Sequence, residues 1–395
     1  MNCRHHPACP GCPLLSNPYT EQLQRKQRRL ADAFALFPHL GLKAPVVRPA
    51  RFQESYRHRL KLPVHIGNRG VQIGLYDPAS HRVLDTPDCP VLAAPLRDAL
   101  QEIHRWLDGK KGVHALDLRL SAATGELQGV FACVDGRFPG GEKGAAQLMR
   151  VLPKLVSIAV SRADPEKRRV FGQDPKILAG KEWIGESVGD TRYRLFPGAF
   201  FQVDPRNAIQ LHELVRRDVG NAGRILDLYS GVGAYARMLA GPGVEVVAVE
   251  SLPAAAEAAR MGAPAGVTVV MADVDRFQPR GRFDAAVLNP AREGADPATL
   301  EKLAKLVPRL VYVSCGPESL ARDLDRLAWH GLRVDNIEAV DLFPQTPEVE
   351  VVVRLVKGEP LQHWGHVQGA GGVEPSGVIG HAQRSLILVV GDPGP

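Results

Sequence analysis

The stretch RILDLYSGVG at residues 224–233 decides the fold, because an apolar run passes directly into a glycine turn. Ile225, Leu226 and Leu228 are typical of a short buried strand. Gly231 and Gly233 let the backbone turn sharply and approach a ligand closely. A strand, a glycine turn and a helix in this order are typical of nucleotide-binding α/β domains. We therefore predict a ligand site where this strand ends.

The residues after this stretch repeat the same alternation. Apolar runs at 246–250, 267–271, 285–288 and 310–313 are separated by helical stretches such as 252–261 and 317–330. Short strands that alternate with helices predict a doubly wound α/β sheet. We assign residues 196–357 to this domain.

The N-terminal half is predicted to be β-rich and irregular over residues 20–195. Leucines at 116, 118 and 120 alternate with polar residues, a turn follows at 124–126, and a second apolar run occupies 130–134, which predicts an antiparallel hairpin. An amphipathic helix is expected at 20–37, with Thr20 as its cap. Its basic residues are read as a solvated face or as phosphate contacts: Arg25, Lys26, Arg28 and Arg29.

Composition limits the class of protein. The 395 residues are 45% hydrophobic and 23% charged, which is ordinary for globular chains, and the net charge of +6 is compatible with a polyanionic partner. No stretch is long and apolar enough to span a membrane, and the N-terminus carries no apolar signal segment. Six cysteines are too few for a disulfide scaffold, so we expect a cytoplasmic protein with reduced, metal-bound or catalytic cysteines.

Acidic residues at successive strand ends favour one ligand for the glycine turn. Glu250 can accept hydrogen bonds from both hydroxyls of a ribose, and Asp273 is in reach of an adenine edge. Asp227 would repel the pyrophosphate of a dinucleotide and attract the ammonium of S-adenosylmethionine. Adenosylmethionine is therefore favoured, with a dinucleotide or a purely structural turn as the alternatives.

Cys315 follows the last apolar run and precedes the helix that Pro317 begins. A thiolate near a helix N-terminus has a lowered pKa and is a better nucleophile, although a lone cysteine is more often structural. Methyl transfer to C5 of a pyrimidine needs such a thiolate to add at C6, followed by removal of the C5 proton. The carboxylates available for that second step are Glu348 and Glu350.

Three cysteines lie within the first twelve residues, Cys3, Cys9 and Cys12, in the spacing C-x5-C-x2-C. Thiolates in this spacing suit zinc or an iron–sulfur cluster, and His5 and His6 could compete as zinc ligands. The spacing alone leaves both metals open.

Together these segments resemble the RNA uracil-5-methyltransferases, which make 5-methyluridine in 23S rRNA and tRNA. Residues 314–323 resemble the family's SCNPxTLARD signature, and 226–233 its LDLYCGVG donor loop. The other matching segments are 200–204 (FxQxN), 289–294 (DPPRxG) and 343–350 (FPHTxHxE). The resemblance covers roughly residues 3–356.

The resemblance implies roles residue by residue. Cys315 would be the nucleophile and Glu350 the base, and a [4Fe–4S] cluster would be held by Cys3, Cys9, Cys12 and the distant Cys89. The donor and uracil pocket would be lined by Gln202, Asp227, Tyr229, Gly231, Gly233, Glu250, Asp273 and Asn289. The fold implied is α/β, a C-terminal class I, Rossmann-like methyltransferase domain with an N-terminal β-rich iron–sulfur and RNA-binding part, whose cluster motif occupies residues 1–19 and 85–92.

Several positions depart from the family pattern. Asn289 stands for an aspartate, Asp204 and Gly316 for asparagines, Glu348 for a histidine, and Ser230 for a frequent cysteine. These changes raise the alternative of a different target base, or of an RNA-binding or assembly protein that has kept the fold.

The expected partner is RNA, with rRNA favoured over tRNA, and the expected state is a monomer. No membrane contact is predicted. The candidates for RNA contacts are two basic clusters, residues 57–61 and 167–169, with a merely solvated face as the alternative for each. The Gly-rich tail at 358–395 has no assigned role.

Overall fold

The computed structural model describes residues 1–68, 70–163, 171 and 175–361. The α-helices are α1 Tyr19–Ala35, α2 Ala94–Leu107, α3 Gly141–Val151, α4 Pro205–Val219, α5 Ala234–Leu239, α6 Pro253–Arg260, α7 Pro297–Leu306 and α8 Pro317–Trp329. The strands are β1 Val47–Arg48, β2 Arg59–Gly67, β3 Gly70–Ile73, β4 Val113–Leu120, β5 Leu127–Cys133, β6 Leu155–Arg162, β7 Lys176–Gly180, β8 Ile184–Val188, β9 Thr191–Leu195, β10 Arg224–Leu228, β11 Glu245–Glu250, β12 Val267–Met271, β13 Ala285–Leu288, β14 Arg309–Ser314, β15 Leu332–Val340 and β16 Glu350–Lys357.

The C-terminal domain is built on an eight-stranded sheet in the order β1-β15-β16-β14-β13-β10-β11-β12. Strands β10 to β14 are mutually parallel, which confirms the predicted doubly wound α/β sheet. Both faces are covered. Leu226 faces a core shared with α7 and α8, and Ile225 faces one shared with α4 and α5. Because the strands are parallel, their carboxyl ends share one edge, where ligands of such sheets bind.

Strand β16 runs antiparallel between β14 and β15, and its register determines which residue lies opposite Glu350, the last residue of the motif at 343–350. Ser314 pairs with Val351. Continued by one residue, this register brings Cys315 opposite Glu350. The two residues that the sequence links only through a distant motif therefore meet across neighbouring strands.

The central part contains a six-stranded sheet in the order β3-β2-β4-β5-β6-β7, covered by α2 and α3. The predicted hairpin is confirmed as the antiparallel pair β4–β5, with Gly125 in the turn at a φ of 71°. Cys133 lies fully buried in this core. The β8–β9 hairpin forms a separate two-stranded sheet.

The predicted N-terminal helix exists as α1, but its start and its location differ from the prediction. Pro18 occupies the cap position, so Thr20 lies inside the helix. Leu30, Ala33 and Phe34 are buried in the core of the C-terminal sheet, and β1 pairs with β15. The α1–β1 segment thus packs with the C-terminal domain, whereas the sequence analysis assigned it to the central domain.

The predicted basic cluster at 57–61 is partly enclosed, because His58 and Arg59 are buried. Arg59 makes a bidentate ion pair with Asp117 at 2.9 and 2.6 Å. The prediction that the basic face of α1 is exposed to solvent is wrong for Lys26, whose side chain is completely buried. The cluster at 167–169 and the tail beyond residue 361 lie outside the described residues. In the part of the chain that is described, no helix is both long and apolar enough to cross a bilayer.

We expect Arg59→Met to destabilise the protein by about 3–5 kcal/mol, because it leaves the buried Asp117 carboxylate without its partner. Burial by itself would raise the pKa of Asp117, and Arg59 holds it below the usual range. Urea unfolding followed by circular dichroism measures the effect. Lys181→Met, which removes an exposed ion pair with Glu126, is the control and should change stability little. Equal stability of the two variants would contradict a structural role for Arg59.

Candidate active site

Cys315 and Glu350 lie close together at the carboxyl edge of the sheet. Besides the register of β14 and β16, the charge of Glu350 acts directly on the thiol of Cys315. Glu350 is buried, and Cys315 is half-buried. The predicted nucleophile and the predicted base are thus brought together at one point.

The acidities of this pair differ from the sequence prediction. Burial, with the charges of Glu350 and Glu348, raises the pKa of Cys315 to about 12, and Arg292 only partly offsets this. The predicted lowering is therefore wrong in this structure, because desolvation outweighs the helix that begins at Pro317. Burial also raises the pKa of Glu350 to about 7. A carboxyl with this pKa can release and accept a proton near neutral pH.

The two carboxylates proposed for proton removal are distinguished by their partners. Glu348 accepts a hydrogen bond from Arg292 at 3.2 Å and lies 3.6 Å from Arg29, so two guanidinium groups surround it. Glu350 is placed in no such ion pair within the described residues. This contrast favours Glu350 as the group that exchanges a proton. Arg29 comes from α1, and no local sequence pattern connected it to the site.

The glycine turn after β10 is organised by two carboxylates. Glu250 accepts from the backbone N–H of Gly231 and of Leu252, both at 2.8 Å. Asp227 is fully enclosed, where its Oδ2 accepts from the N–H of Ala236 in α5 at 2.9 Å. Burial raises the pKa of Asp227 to about 7. Its Oδ1 and the hydroxyl of Ser230 are buried without a partner in the described structure, as expected of groups that serve a ligand.

Tyr229 holds a strained backbone at the same turn, with a φ of 57° that few non-glycine residues adopt. Its hydroxyl donates to Asp275 at 3.3 Å, and Thr299 donates to the same Asp275 oxygen at 3.0 Å. The predicted Asp273 is exposed and accepts from the N–H of Asp275 at 3.0 Å. Asp275, which the sequence analysis did not single out, thus holds the side chain of Tyr229.

The remaining predicted pocket residues are placed at the same sheet edge or in the segment that leads to it. Asn289 follows β13 directly, is half-buried, and donates its N–H to the carbonyl of Leu228 at 3.4 Å. Gly233 has a φ of 76° and occupies the N-cap position of α5. Gln202 is half-buried between β9 and α4. Their predicted contacts with donor and uracil stay predictions.

Two departures from the family pattern have a local explanation. Asp204 caps α4, where its carboxylate accepts from the N–H groups of Arg206 and Asn207 and from the Asn207 amide, so a carboxylate suits this position. Gly316 is closely surrounded. A Cβ there would stand 2.6 Å from the Ser319 hydroxyl and 2.7 Å from the Arg292 carbonyl. Nothing in the structure explains Asn289.

The four cysteines of the predicted cluster motif lie close enough for their charges to act on one another. Burial chiefly, and then the charges of Cys89, Cys9 and Cys3, raise the pKa of Cys12 to about 12. His5 pairs with Asp88 at 2.6 Å, and His6 bonds Ser16 at 2.8 Å. No three His, Cys, Asp or Glu side chains of the described ranges are arranged around a single metal ion.

Comparison with known proteins gives consistent matches. The family model described as tRNA (Uracil-5-)-methyltransferase matches residues 271–358. An uncharacterised RNA methyltransferase of Geobacter sulfurreducens is 31% identical over 384 residues, which cover 91% of this chain and 77% of that protein. One of Gloeobacter violaceus is 34% identical over 371 residues, 88% and 80% of the two chains.

A solved structure is similar over most of the chain. The Pyrococcus abyssi tRNA (uracil-54, C5)-methyltransferase in complex with S-adenosyl-L-homocysteine has a TM-score of 0.73 and 28% identity, and the match covers 89% of this chain and 86% of that one. The similarity therefore extends through both the central and the C-terminal parts.

Two substitutions should move the reactivity of Cys315 in opposite directions. Glu350→Gln removes a repelling charge and should speed alkylation by iodoacetamide at pH 8 by roughly tenfold, the effect of one pKa unit. Arg292→Met removes an attracting charge and should slow it by a similar factor. Mass spectrometry of the Cys315 peptide measures both rates, and Cys315→Ser gives the background. Changes in the same direction would refute the electrostatic account.

Proposed function

The chain belongs to the RNA uracil-5-methyltransferase family, and on that premise we propose that it methylates C5 of a uridine in structured RNA with S-adenosylmethionine as donor. The observation that carries the proposal is the pair where β14 ends and β16 begins, a thiol on Cys315 beside a carboxyl on Glu350 whose pKa is raised to about 7. Few methyl acceptors require such a pair, but C5 of a pyrimidine does.

The donor site that we propose is the turn between β10 and α5. Glu250, already fixed by two backbone N–H groups, keeps free lone pairs for ribose hydroxyls. The unpartnered Asp227 Oδ1 and Ser230 hydroxyl fit a polar ligand at this turn. The P. abyssi enzyme, crystallised with S-adenosyl-L-homocysteine, supports the assignment. Bound there, S-adenosylmethionine supplies an electrophilic methyl group to C5.

The chain's own residues carry the other steps. The Cys315 thiol loses its proton to water, and the thiolate sulfur bonds to C6 of the uracil. The electron pair displaced from the C5–C6 double bond makes C5 nucleophilic. C5 then gains the methyl group, and the electrons of the broken methyl–sulfur bond stay on the sulfur of the donor. Glu350, as a carboxylate, removes the C5 proton. The electrons of that C–H bond restore the C5–C6 double bond, and the C6–S bond breaks to return the thiolate. A base paired inside a folded RNA must leave its stack to reach Cys315.

For the RNA itself we propose 23S rRNA, because members of the family with an N-terminal cluster motif mostly modify that molecule. The tRNA substrate named for the P. abyssi enzyme supports tRNA as the second candidate. A binding protein without activity is disfavoured, since it would need neither Cys315 nor Glu350.

Nucleoside mass spectrometry tests the function. In cells that lack the gene, we expect 5-methyluridine to fall in the rRNA fraction and to return with the wild-type protein but not with Cys315→Ser. Glu350→Gln should instead leave RNA covalently attached to Cys315, since the adduct cannot lose its proton. A loss confined to tRNA selects the second candidate. Unchanged modification in every fraction would overturn the enzymatic proposal.

We further propose that Cys3, Cys9, Cys12 and Cys89 hold a [4Fe–4S] cluster. Four thiolates are the ligand set that such a cluster takes, and the charges of Cys89, Cys9 and Cys3 act on Cys12. Backbone N–H groups of Gly11 and Val91 point at the sulfurs of Cys9 and Cys89. Both histidines are committed to other partners.

Anaerobic purification and metal analysis test this assignment. We expect about four iron and four sulfide per chain, and a visible absorption band that Cys12→Ser abolishes. Cys133→Ser is the matched control, because Cys133 is buried in the separate core of the central sheet. One zinc and no sulfide per chain would contradict the cluster.

A further inference from the structure

We propose that the polar face of α1 positions the proton-removing carboxyl of the active site. We call Gln22, Lys26 and Arg29 the α1 clamp, because their spacing of four and three residues places them on one face of the helix. All three side chains contact the segment 341–349, which runs directly into Glu350. The inference rests on the proposed function, since it assigns these residues to a single step of that reaction.

The first contact of the α1 clamp is a fully buried ion pair. Lys26 donates to the Asp341 carboxylate at 2.5 Å and to the Phe343 carbonyl at 3.0 Å. Neither side chain of the ion pair is exposed. Asp341 also accepts from the Tyr19 hydroxyl at 2.9 Å and from the Phe343 N–H at 2.8 Å. A buried lysine with a carboxylate and a carbonyl fixes the start of the segment in one geometry.

The second contact holds a strained residue. Gln345 has a φ of 70°, in the left-handed region that costs a non-glycine residue of order 1 kcal/mol or more. The Gln22 side chain donates to the Gln345 side chain at 2.7 Å and accepts from its N–H at 2.8 Å. The N–H of Leu14 donates to its carbonyl at 3.0 Å. Strain that is held from several sides is typical of a functional positioning element.

The third contact of the α1 clamp is made by Arg29 with the charged residues near Cys315. Arg29 donates to the Pro347 carbonyl at 3.3 Å and lies 3.6 Å from Glu348, while its other nitrogens hold Glu318 of α8 at 2.9 and 3.0 Å. Glu348 is one of the departures from the family pattern, and Arg29 balances its charge next to Glu350. The clamp therefore ends two residues before the base.

These polar contacts are separate from the apolar packing that holds α1 in place. Leu30, Ala33 and Phe34 bury the helix in the core of the C-terminal sheet. We therefore assign the α1 clamp a second role, which is to position the Glu350 carboxyl against the C5 proton. Addition of Cys315 and transfer of the methyl group do not need that placement. Loosening the clamp should therefore slow the last step, in which Glu350 takes the proton and the C6–S bond breaks.

The test follows one turnover on RNA with a methyl-labelled donor. The variants are Gln22→Leu and the pair Lys26→Met with Asp341→Asn, which removes both buried charges and so avoids an unpaired one. We expect the label to enter RNA at nearly the wild-type rate, while release slows at least tenfold. A labelled RNA–protein complex that survives SDS should accumulate. Arg25→Met, on the exposed face of α1, is the control and should resemble wild type.

Thermal unfolding of each variant identifies any loss of fold. A folded variant that releases RNA at the wild-type rate would overturn the clamp, and so would one that loses methyl entry without accumulating a complex. If the double variant unfolds, Gln22→Leu decides alone, because it removes no charge. Wild-type protein with 5-fluorouridine RNA monitors the proposed function separately. Failure to form any adduct there would overturn both proposals.

Discussion

The antiparallel register of β14 and β16 is the constraint on which the candidate site depends. It sets Ser314 against Val351 and so brings the next residues, Cys315 and Glu350, to the same point on the sheet edge. Side chains alternate between the faces of a strand, so a slip of one residue would turn Glu350 to the opposite face. The parallel strands β10 and β13 end beside this point, with the glycine turn and Asn289. The predicted nucleophile, the predicted base and the predicted donor turn are therefore fixed by one sheet.

Features with a local pattern could be predicted from the sequence. The parallel strands β10 to β14, the β4–β5 hairpin and the helix α1 all follow from the periodicity of nearby residues. The family motifs then indicated Cys315 and Glu350, which the fold brings together. Each of these predictions uses residues that are neighbours along the chain or positions within a recognised motif.

What could not be predicted depends on distant partners and on burial. Arg59 looked like an RNA contact, but Asp117, 58 residues away, holds it in the central core. Lys26 looked solvated, and its partner is 315 residues distant. The raised pKa of Cys315 comes from enclosure beside two carboxylates, which spacing does not reveal. The sequence offered one signal that α1 is enclosed. The helix carries polar residues at 22, 26 and 29 beside apolar ones, and this pattern is typical of a helix that is covered on two sides.

The distance in sequence between the halves of the α1 clamp has a consequence for how the protein is made. On the ribosome, α1 emerges among the first segments, whereas Asp341 and Gln345 are translated near the end of the described chain. Until then Lys26 has no buried partner and β1 no β15 to pair with. The proposed site is consequently completed only after β16 has been synthesised. Incomplete chains contain the proposed donor turn but lack the proposed base and the contacts that place it, so we expect them to be inactive until that strand is made.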